Sequence, residues 1–387
     1  MYDFVKMRAP AKYSEQLLKA ENLNFRQSIT KEGVIITTAD GYNANRATIL
    51  GFDIIVWEHP IKHHRIDIKG SFHKLHEGET NYKTFYFYEF LSAVNILCDS
   101  IKIPPTELNI HLFEIGVNIK PPIETKLFIE GIKTLSGKKF ERETYNGKGL
   151  LLRFDFAHYQ IKIYDKGFQY NQPEPILRFE LKIKKMAYIK TKGANITTLQ
   201  DIITGEWNTY FGNLLLTQWD KVIICPEGMI NPNLITNPRT RENFINGLNA
   251  DYWTGLNSKA YIRQFARFKD MFKQFAPIDL YSVIHDLIKE KWEHLSKDQR
   301  GKNYPYVYGN IIPFTTNQPK QRFCVTCGRD ISNQKKNSKF CSETIHGPEV
   351  KKCRNIQSNP RNNYKRKQDR IYSGPTLFPI YIHYGII

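Results

Sequence analysis

The sequence predicts an α+β fold: an antiparallel β-sheet core with packed helices, a helical second half and a small C-terminal module stapled through cysteines. Three observations lead there. Runs such as Arg65-Ile66-Asp67-Ile68-Lys69 alternate with period two, the pattern of a strand with one buried face. Stretches such as Ser258 to Phe275 instead repeat apolar residues at helical spacing. Four of the six cysteines, Cys324, Cys327, Cys341 and Cys353, crowd into one short basic segment.

Composition bounds the functional classes. With 387 residues, 41% hydrophobic and 13% aromatic, the chain holds enough apolar side chain for a full core, which excludes a disordered polymer. Lysine and arginine number 56 against 38 aspartate and glutamate, a net +18. A polyanion is the natural partner of such a surface, because each neutralised phosphate releases condensed counterions. Met1 to Pro10 carries Asp3, Lys6 and Arg8 and lacks the apolar core of a secretory signal. No apolar run is long enough to span a bilayer, so a cytoplasmic protein without a membrane partner is expected. In a reducing cytosol, crowded cysteines point to metal ligation in preference to disulfides.

The elements follow in order. Phe52 to Leu75 alternates as strands and places Asp67 on a polar sheet face. From Thr84 to about Cys98, Phe85, Tyr88, Phe90, Leu91, Val94 and Leu97 recur at helical spacing, and these aromatics are expected in the core, not as a base-stacking platform. Pro104-Pro105 breaks that helix before a strand from Leu108 to Asn118. Gln160 to Lys166, a turn with Gly167, Pro173 and Pro175, and Ile176 to Lys184 read as a β-hairpin with a long loop. On its polar face stand Gln160, Lys162, Tyr164 and Lys166 from one strand and Arg178, Glu180, Lys182 and Lys184 from the other. Thr197-Thr198 caps a helix through Leu199, Ile202 and Ile203, and helices are expected again over Ser258 to Phe275 and Asp279 to about Leu295. Asn303 to Pro319 lacks periodicity and reads as a linker. The expected organisation is a strand-rich core over 1–225, a helical region over 226–302, the linker 303–319, a basic module over 320–370 and a tail, 371–387.

One constellation on these faces suits phosphodiester chemistry. A tyrosine hydroxyl attacks phosphorus usefully only when its phenolate is stabilised, since a free phenol titrates near pH ~10. Lys162 and Lys166 flank Tyr164 at same-face spacing, where they can hold a phosphate or favour the phenolate. The competing reading is a surface tyrosine between two solvated lysines. Asp67, Glu114 and Glu180 lie on neighbouring polar strand faces, and three such carboxylates suit a hard cation, Mg2+ or Mn2+, although each taken alone reads first as an ordinary salt-bridge partner. Two histidines separated by one hydrophobic residue are absent: His63-His64 are adjacent, and Lys74-Leu75 lie between His73 and His76. Any catalytic metal site is therefore expected to be mainly carboxylate.

Arg65-Ile-Asp-Ile-Lys-Gly-Ser-Phe-His-Lys-Leu75, Phe113-Glu-Ile-Gly-Val-Asn118, Ile163-Tyr-Asp-Lys166 and Leu177-Arg-Phe-Glu-Leu-Lys-Ile-Lys184 together resemble the phage and plasmid replication proteins typified by the filamentous-phage gene II protein. The resemblance spans roughly residues 1 to 295. It implies a rolling-circle initiator: a site-specific endonuclease that joins a tyrosine to a 5′ phosphate, leaves a 3′ hydroxyl for a polymerase and later recloses the displaced strand. On it, Tyr164 matches the family's tyrosine, Lys166 the nearby lysine, Glu180 the acid of Arg-Phe-Glu, and Glu114 and Asp67 the acids of two earlier strands. The partners implied are origin DNA, single-stranded or supercoiled, with the host helicase and polymerase. The helical second half and the cysteine-bearing end depart from the phage type, and a plasmid or integrative-element initiator has the same core with a different end.

Cys324-Val-Thr-Cys327-Gly328 is a tight turn that presents two thiolates, and Cys341 and Cys353 supply a second pair, so a structural Zn2+ is expected, with His346 able to replace one ligand. Between Pro319 and Arg370 stand fourteen basic residues against four acidic ones, which is +10 of the chain's +18. Lys335, Lys336, Lys339, Lys351, Lys352, Arg354, Arg361, Lys365, Arg366 and Lys367 are the expected DNA contacts of this zinc-stapled module. Two other functions share these features. One is a non-enzymatic zinc-containing DNA- or RNA-binding regulator of a mobile element; the other is a conjugative relaxase with the same chemistry.

Overall fold

The computed structural model describes residues 1–27, 35–78, 80–145 and 148–297, together with Cys324, Cys341 and Ser342. The chain divides into two compact units, Met1–Asn310 and Ile311–Ile387. The linker 303–319, the tail 371–387, Cys327, Cys353, His346 and all ten basic residues named for the module lie outside the described residues.

The strands of the first unit are β1 (Tyr2–Ala9), β2 (Arg26–Gln27), β3 (Asn43–Ile49), β4 (Phe52–Glu58), β5 (Arg65–Ser71), β6 (Asn109–Ile119), β7 (Ile132–Leu135), β8 (Lys138–Lys139), β9 (Glu141–Tyr145), β10 (Lys148–Asp155), β11 (Tyr159–Asp165), β12 (Leu177–Ile183) and β13 (Val222–Ile224). Ten of them form one sheet, in the order β2-β3-β4-β5-β1-β6-β12-β11-β10-β9, and every pairing in it is antiparallel. β13, β7 and β8 make a second, three-stranded sheet.

Period-two patterning decides which face is buried. In β1, Val5, Met7 and Ala9 point inward and Phe4, Lys6 and Arg8 outward. β11 buries Ile161 and Ile163, and β12 buries Leu177, Phe179, Leu181 and Ile183. Helices cover this apolar face. Tyr2 is the hub of a cluster with Phe87, Phe90, Phe113, Phe211 and Trp292, at ring-centroid separations of 4.8 to 5.9 Å. Burying a phenylalanine side chain stabilises by about 1.5–3 kcal/mol, so the cluster anchors three helices, Phe87–Ile101, Asn208–Trp219 and Leu280–Ser296, on β1 and β6. Trp292 Nε1 also donates to the Asn208 carbonyl at 2.7 Å. The helices after residue 225 therefore share the core of the strands instead of forming a region apart. The opposite face of the sheet carries charge. Among the described residues no helix is long and apolar enough to cross a membrane.

Local signals explain the element ends. The helix Phe87–Ile101 starts three residues later than its periodicity predicts, where the Glu89 carboxylate accepts from the Tyr86 backbone N–H at 2.7 Å. Thr198 and Asp201 cap Leu199–Ile203 in the same way. Asp279, expected as the first residue of the last helix, is its N-cap, accepting from the backbone of Tyr281 and Ser282. β11 ends at Asp165, whose side chain accepts from Phe168 N at 2.9 Å. That cap turns Lys166 into the first residue of a one-turn helix, Lys166–Gln169, within the hairpin's long loop.

Candidate active site

The polar face of β12, β11 and β6 is built by register. Tyr164 lies opposite Arg178, Lys162 opposite Glu180, and Lys182 opposite Glu114. Glu180 pairs across to Gly116, where a side chain has no room: a Cβ there would stand 2.6 Å from the Phe179 carbonyl oxygen and 3.0 Å from the Arg178 guanidinium. The glycine in Phe113-Glu-Ile-Gly-Val-Asn118 thus lets Arg178 lie flat across β6. Arg178 is 1% exposed. Its guanidinium donates to Glu180 Oε2 at 3.3 Å, Asp3 Oδ2 at 3.2 Å and Asn118 Oδ1 at 3.2 Å. Asp3 in turn accepts from Ser71 and, at 2.9 Å, from Asn81, whose amide oxygen accepts from the Tyr170 hydroxyl at 2.7 Å.

Tyr164, 6% exposed, sits on this charged floor and lines an open cavity of about 1210 Å³ with Glu180, Lys162, Glu114, Asp3 and Tyr170. Its hydroxyl donates to Glu180 Oε2 at 3.4 Å and accepts from Lys166 Nζ at 3.3 Å. Both contacts are long for hydrogen bonds. The Lys162 ammonium is 2.9 Å from Glu180 Oε1 and 3.6 Å from Glu114 Oε1, bridging the two acids. Lys182 holds Glu114 from the other side at 2.7 Å.

The three expected carboxylates are not brought together. Glu114 and Glu180 share Lys162, but Asp67 belongs to another part of the face. There it accepts from Arg8 Nε at 2.9 Å and Trp57 Nε1 at 3.1 Å, with Arg65 at 3.6 Å. Asp67 faces the polar side of the sheet, but β5 pairs with β1, and β1 stands between β5 and β6, which keeps Asp67 away from Glu114 and Glu180. Among the described residues no three His, Cys, Asp or Glu side chains are gathered tightly enough to hold a metal ion.

Electrostatics separate the roles. Burial pushes Glu180 up, but the charges of Lys162 and Arg178 outweigh it and hold the carboxyl at about 2. Burial likewise opposes ionisation of Asp3, and Arg178 overrides it, keeping that acid well below the ordinary range. Glu114 is raised, by burial first and the charge of Glu180 second. Lys166, 1% exposed, is lowered to about 7 by burial and by Arg178. A carboxylate near 2 is a poor base, whereas an amine near 7 beside a phenol is matched to proton transfer at neutral pH.

No family model and no curated protein matches the chain. Among solved structures, the rolling circle replication initiator protein from Geobacillus stearothermophilus is similar at a TM-score of 0.32 and 13% identity, over 64% of this chain and 96% of that one. A likeness this loose carries no argument about function, and the site itself has to supply one.

Sequence reasoning missed Asp3, Arg178, Ser71, Asn81 and Tyr170. Arg178 was within reach, since it sits two residues before Glu180 on the same strand face. Asp3 was not, because nothing local announces that β1 is the strand between β5 and β6. His73 was read only for its spacing from His76. It is buried and stacked on Phe85 at 4.5 Å, its ring nitrogens have no hydrogen-bond partner among the described residues, and burial holds it neutral.

Lys166 gives a signed pH dependence. Native Lys166 loses its proton near 7, while the unfolded chain keeps it to about 10.5. Between those values the unfolded state binds more protons, so stability rises with pH across the window; it falls back as pH drops from about 10.5 to 7, and below 7 Lys166 adds no further pH dependence. Urea midpoints between pH 7 and 9 are expected to rise less in Lys166→Met than in the parent, and an identical slope in the two would contradict the assignment.

Proposed function

We propose that the protein nicks and rejoins single-stranded DNA through Tyr164, as an initiator of rolling-circle replication. The observation that carries the reading is the Tyr164 hydroxyl, set in an open polar cavity between a buried amine near neutrality and an ionised glutamate. In the forward step the phenol proton passes to neutral Lys166, the phenolate oxygen bonds to phosphorus, and the bond from phosphorus to the 3′ oxygen breaks. The leaving oxygen takes up the proton that Lys166 now carries and departs as a 3′ hydroxyl, the end a host polymerase extends. Reversal with an incoming 3′ hydroxyl rejoins the strand. Arg178 fixes Glu180, and Glu180 orients the phenol.

Glu114 and Glu180 fit a divalent cation: both are buried oxygen donors at the cavity, and Mg2+ is commonly held by one or two carboxylates plus substrate phosphate. When bound, Mg2+ or Mn2+ would polarise the non-bridging phosphate oxygens. Lys162, which contacts both acids, is the group such an ion competes with, and Asp67 is outside the set. The test is incubation with single-stranded oligonucleotides tiling the protein's own replicon and Mg2+ or Mn2+, followed by a denaturing gel. A protein–DNA band that withstands denaturation supports the reading. Salt-sensitive binding to every tile without such a band favours the non-enzymatic regulator.

The second unit, in this proposal, is a structural zinc module that grips DNA. Cys324 is buried and Cys341 half-buried, as ligands of a closed site would be. Metal analysis of the purified chain is expected to give one zinc, lost in Cys324→Ser together with part of the DNA affinity; a metal-free parent would remove the zinc from the account.

A further inference from the structure

The nicking reading leaves unused the far end of the polar face, where β3, β4 and β5 lie. Trp57, on β4, is half-buried with two guanidinium groups over its ring, Arg65 at 4.7 Å and Arg46 at 5.6 Å from the centroid. Arg65 also lies over Tyr42, at 5.7 Å. Its Nε lies 3.6 Å from Asp67 Oδ2, an ion pair longer than a hydrogen bond. Trp57 is fixed edge-on by its bond from Nε1 to Asp67. Toward the catalytic cavity the same face continues through Arg8, Lys6 and Lys69, each between 38% and 40% exposed. With Arg46 and Arg65 these make five cations, against Asp53 and Asp67.

We propose that this surface is a track for unpaired DNA, with the Arg46–Trp57–Arg65 pile as a platform on which a base stacks. It rests on the nicking reading only in giving the strand a reason to be there. Two features favour a single strand over a duplex. A flat pile of indole and guanidinium planes offers a stacking surface that bases inside a helix cannot reach, and it needs no particular base because every base has a π-face. Half-exposed cations in a row follow a flexible phosphate chain. β4 and β11 are five strand spacings apart, about 24 Å across the sheet, and the register sets Trp57 about eleven residues, or about 36 Å, along the strands from Tyr164, so an unpaired strand running diagonally over the sheet joins Tyr164 to the platform.

The test measures equilibrium binding of uncleaved oligothymidine, about 16 nucleotides long, of an abasic strand of the same length and of a duplex. Trp57→Ala is expected to weaken oligothymidine binding about 5- to 100-fold while the abasic strand and the duplex change by less than about twofold. Trp57→Phe, which keeps a ring but loses the bond to Asp67, is expected to retain most of the affinity. Equal losses on base-bearing and abasic strands would overturn the proposal, as would Trp57→Phe behaving like Trp57→Ala, since the indole would then serve only to position Asp67. Because no bond is cleaved in these measurements, an inactive Tyr164 would leave their outcome unchanged, and a failed platform would leave the nicking test standing.

Discussion

Tyr164→Phe is expected to abolish the denaturation-resistant DNA adduct while leaving equilibrium DNA binding within about twofold of the parent. The substitution removes one oxygen from a side chain whose ring is held by β11, so the sheet and its cations stay in place. The long hydrogen bonds to Glu180 and from Lys166 go with it, and neither is needed to hold the Glu180 carboxylate, which keeps Lys162 and Arg178. Loss of the nucleophile stops covalent chemistry outright. Denaturing gels of the two proteins with the same oligonucleotide check this directly. Adduct persisting in Tyr164→Phe would pass the nucleophile to another of the 22 tyrosines.

Arg178→Met is expected to cost about 3–5 kcal/mol of folding stability, because it leaves Asp3 and Glu180 as buried carboxylates without their shared counter-charge. Urea unfolding measures the loss. Adding Glu180→Gln to Arg178→Met should recover part of it, since a neutral amide needs no counter-charge, and strictly additive costs would contradict the coupling. The pH dependence has a definite sign. Glu180 sits at about 2 in the native protein against 4.5 when free, so the stability it carries is present above about 4.5 and lost as pH falls toward 2. In Arg178→Met, where the native carboxyl loses one of the charges that hold it down, the loss over that range should be smaller.

How much of the fold and site was legible beforehand depended on whether a residue's partners were local. The hairpin of β11 and β12 could be read from its alternation, and so could the facing of Lys162, Tyr164, Glu180 and Lys182, because a period of two fixes the face whatever the neighbours are. The helices Ser258–Phe275 and Leu280–Ser296 announced themselves by period and caps. Strand order was not legible. β1 carries a good alternating pattern, yet only the long-range pairing of Tyr2 with Ile115 and Phe4 with Ser71 brings Asp3 to Arg178. The same cause separated Asp67 from Glu114 and Glu180. Lys166 reaches the Tyr164 hydroxyl from the one-turn helix after β11, not from the strand, and its lowered pKa comes from burial and from Arg178, which no spacing reports.

The central claim is that the Tyr164 oxygen becomes bonded to a 5′ phosphate. The most direct measurement is to trap the adduct with a single-stranded oligonucleotide, digest the protein and locate the nucleotide-bearing residue by mass spectrometry. Phosphonucleotide on Tyr164, in the peptide that contains Ile163-Tyr-Asp-Lys166, is the expected result; the label on any other residue, or an oligonucleotide cut without any covalent intermediate, would contradict it.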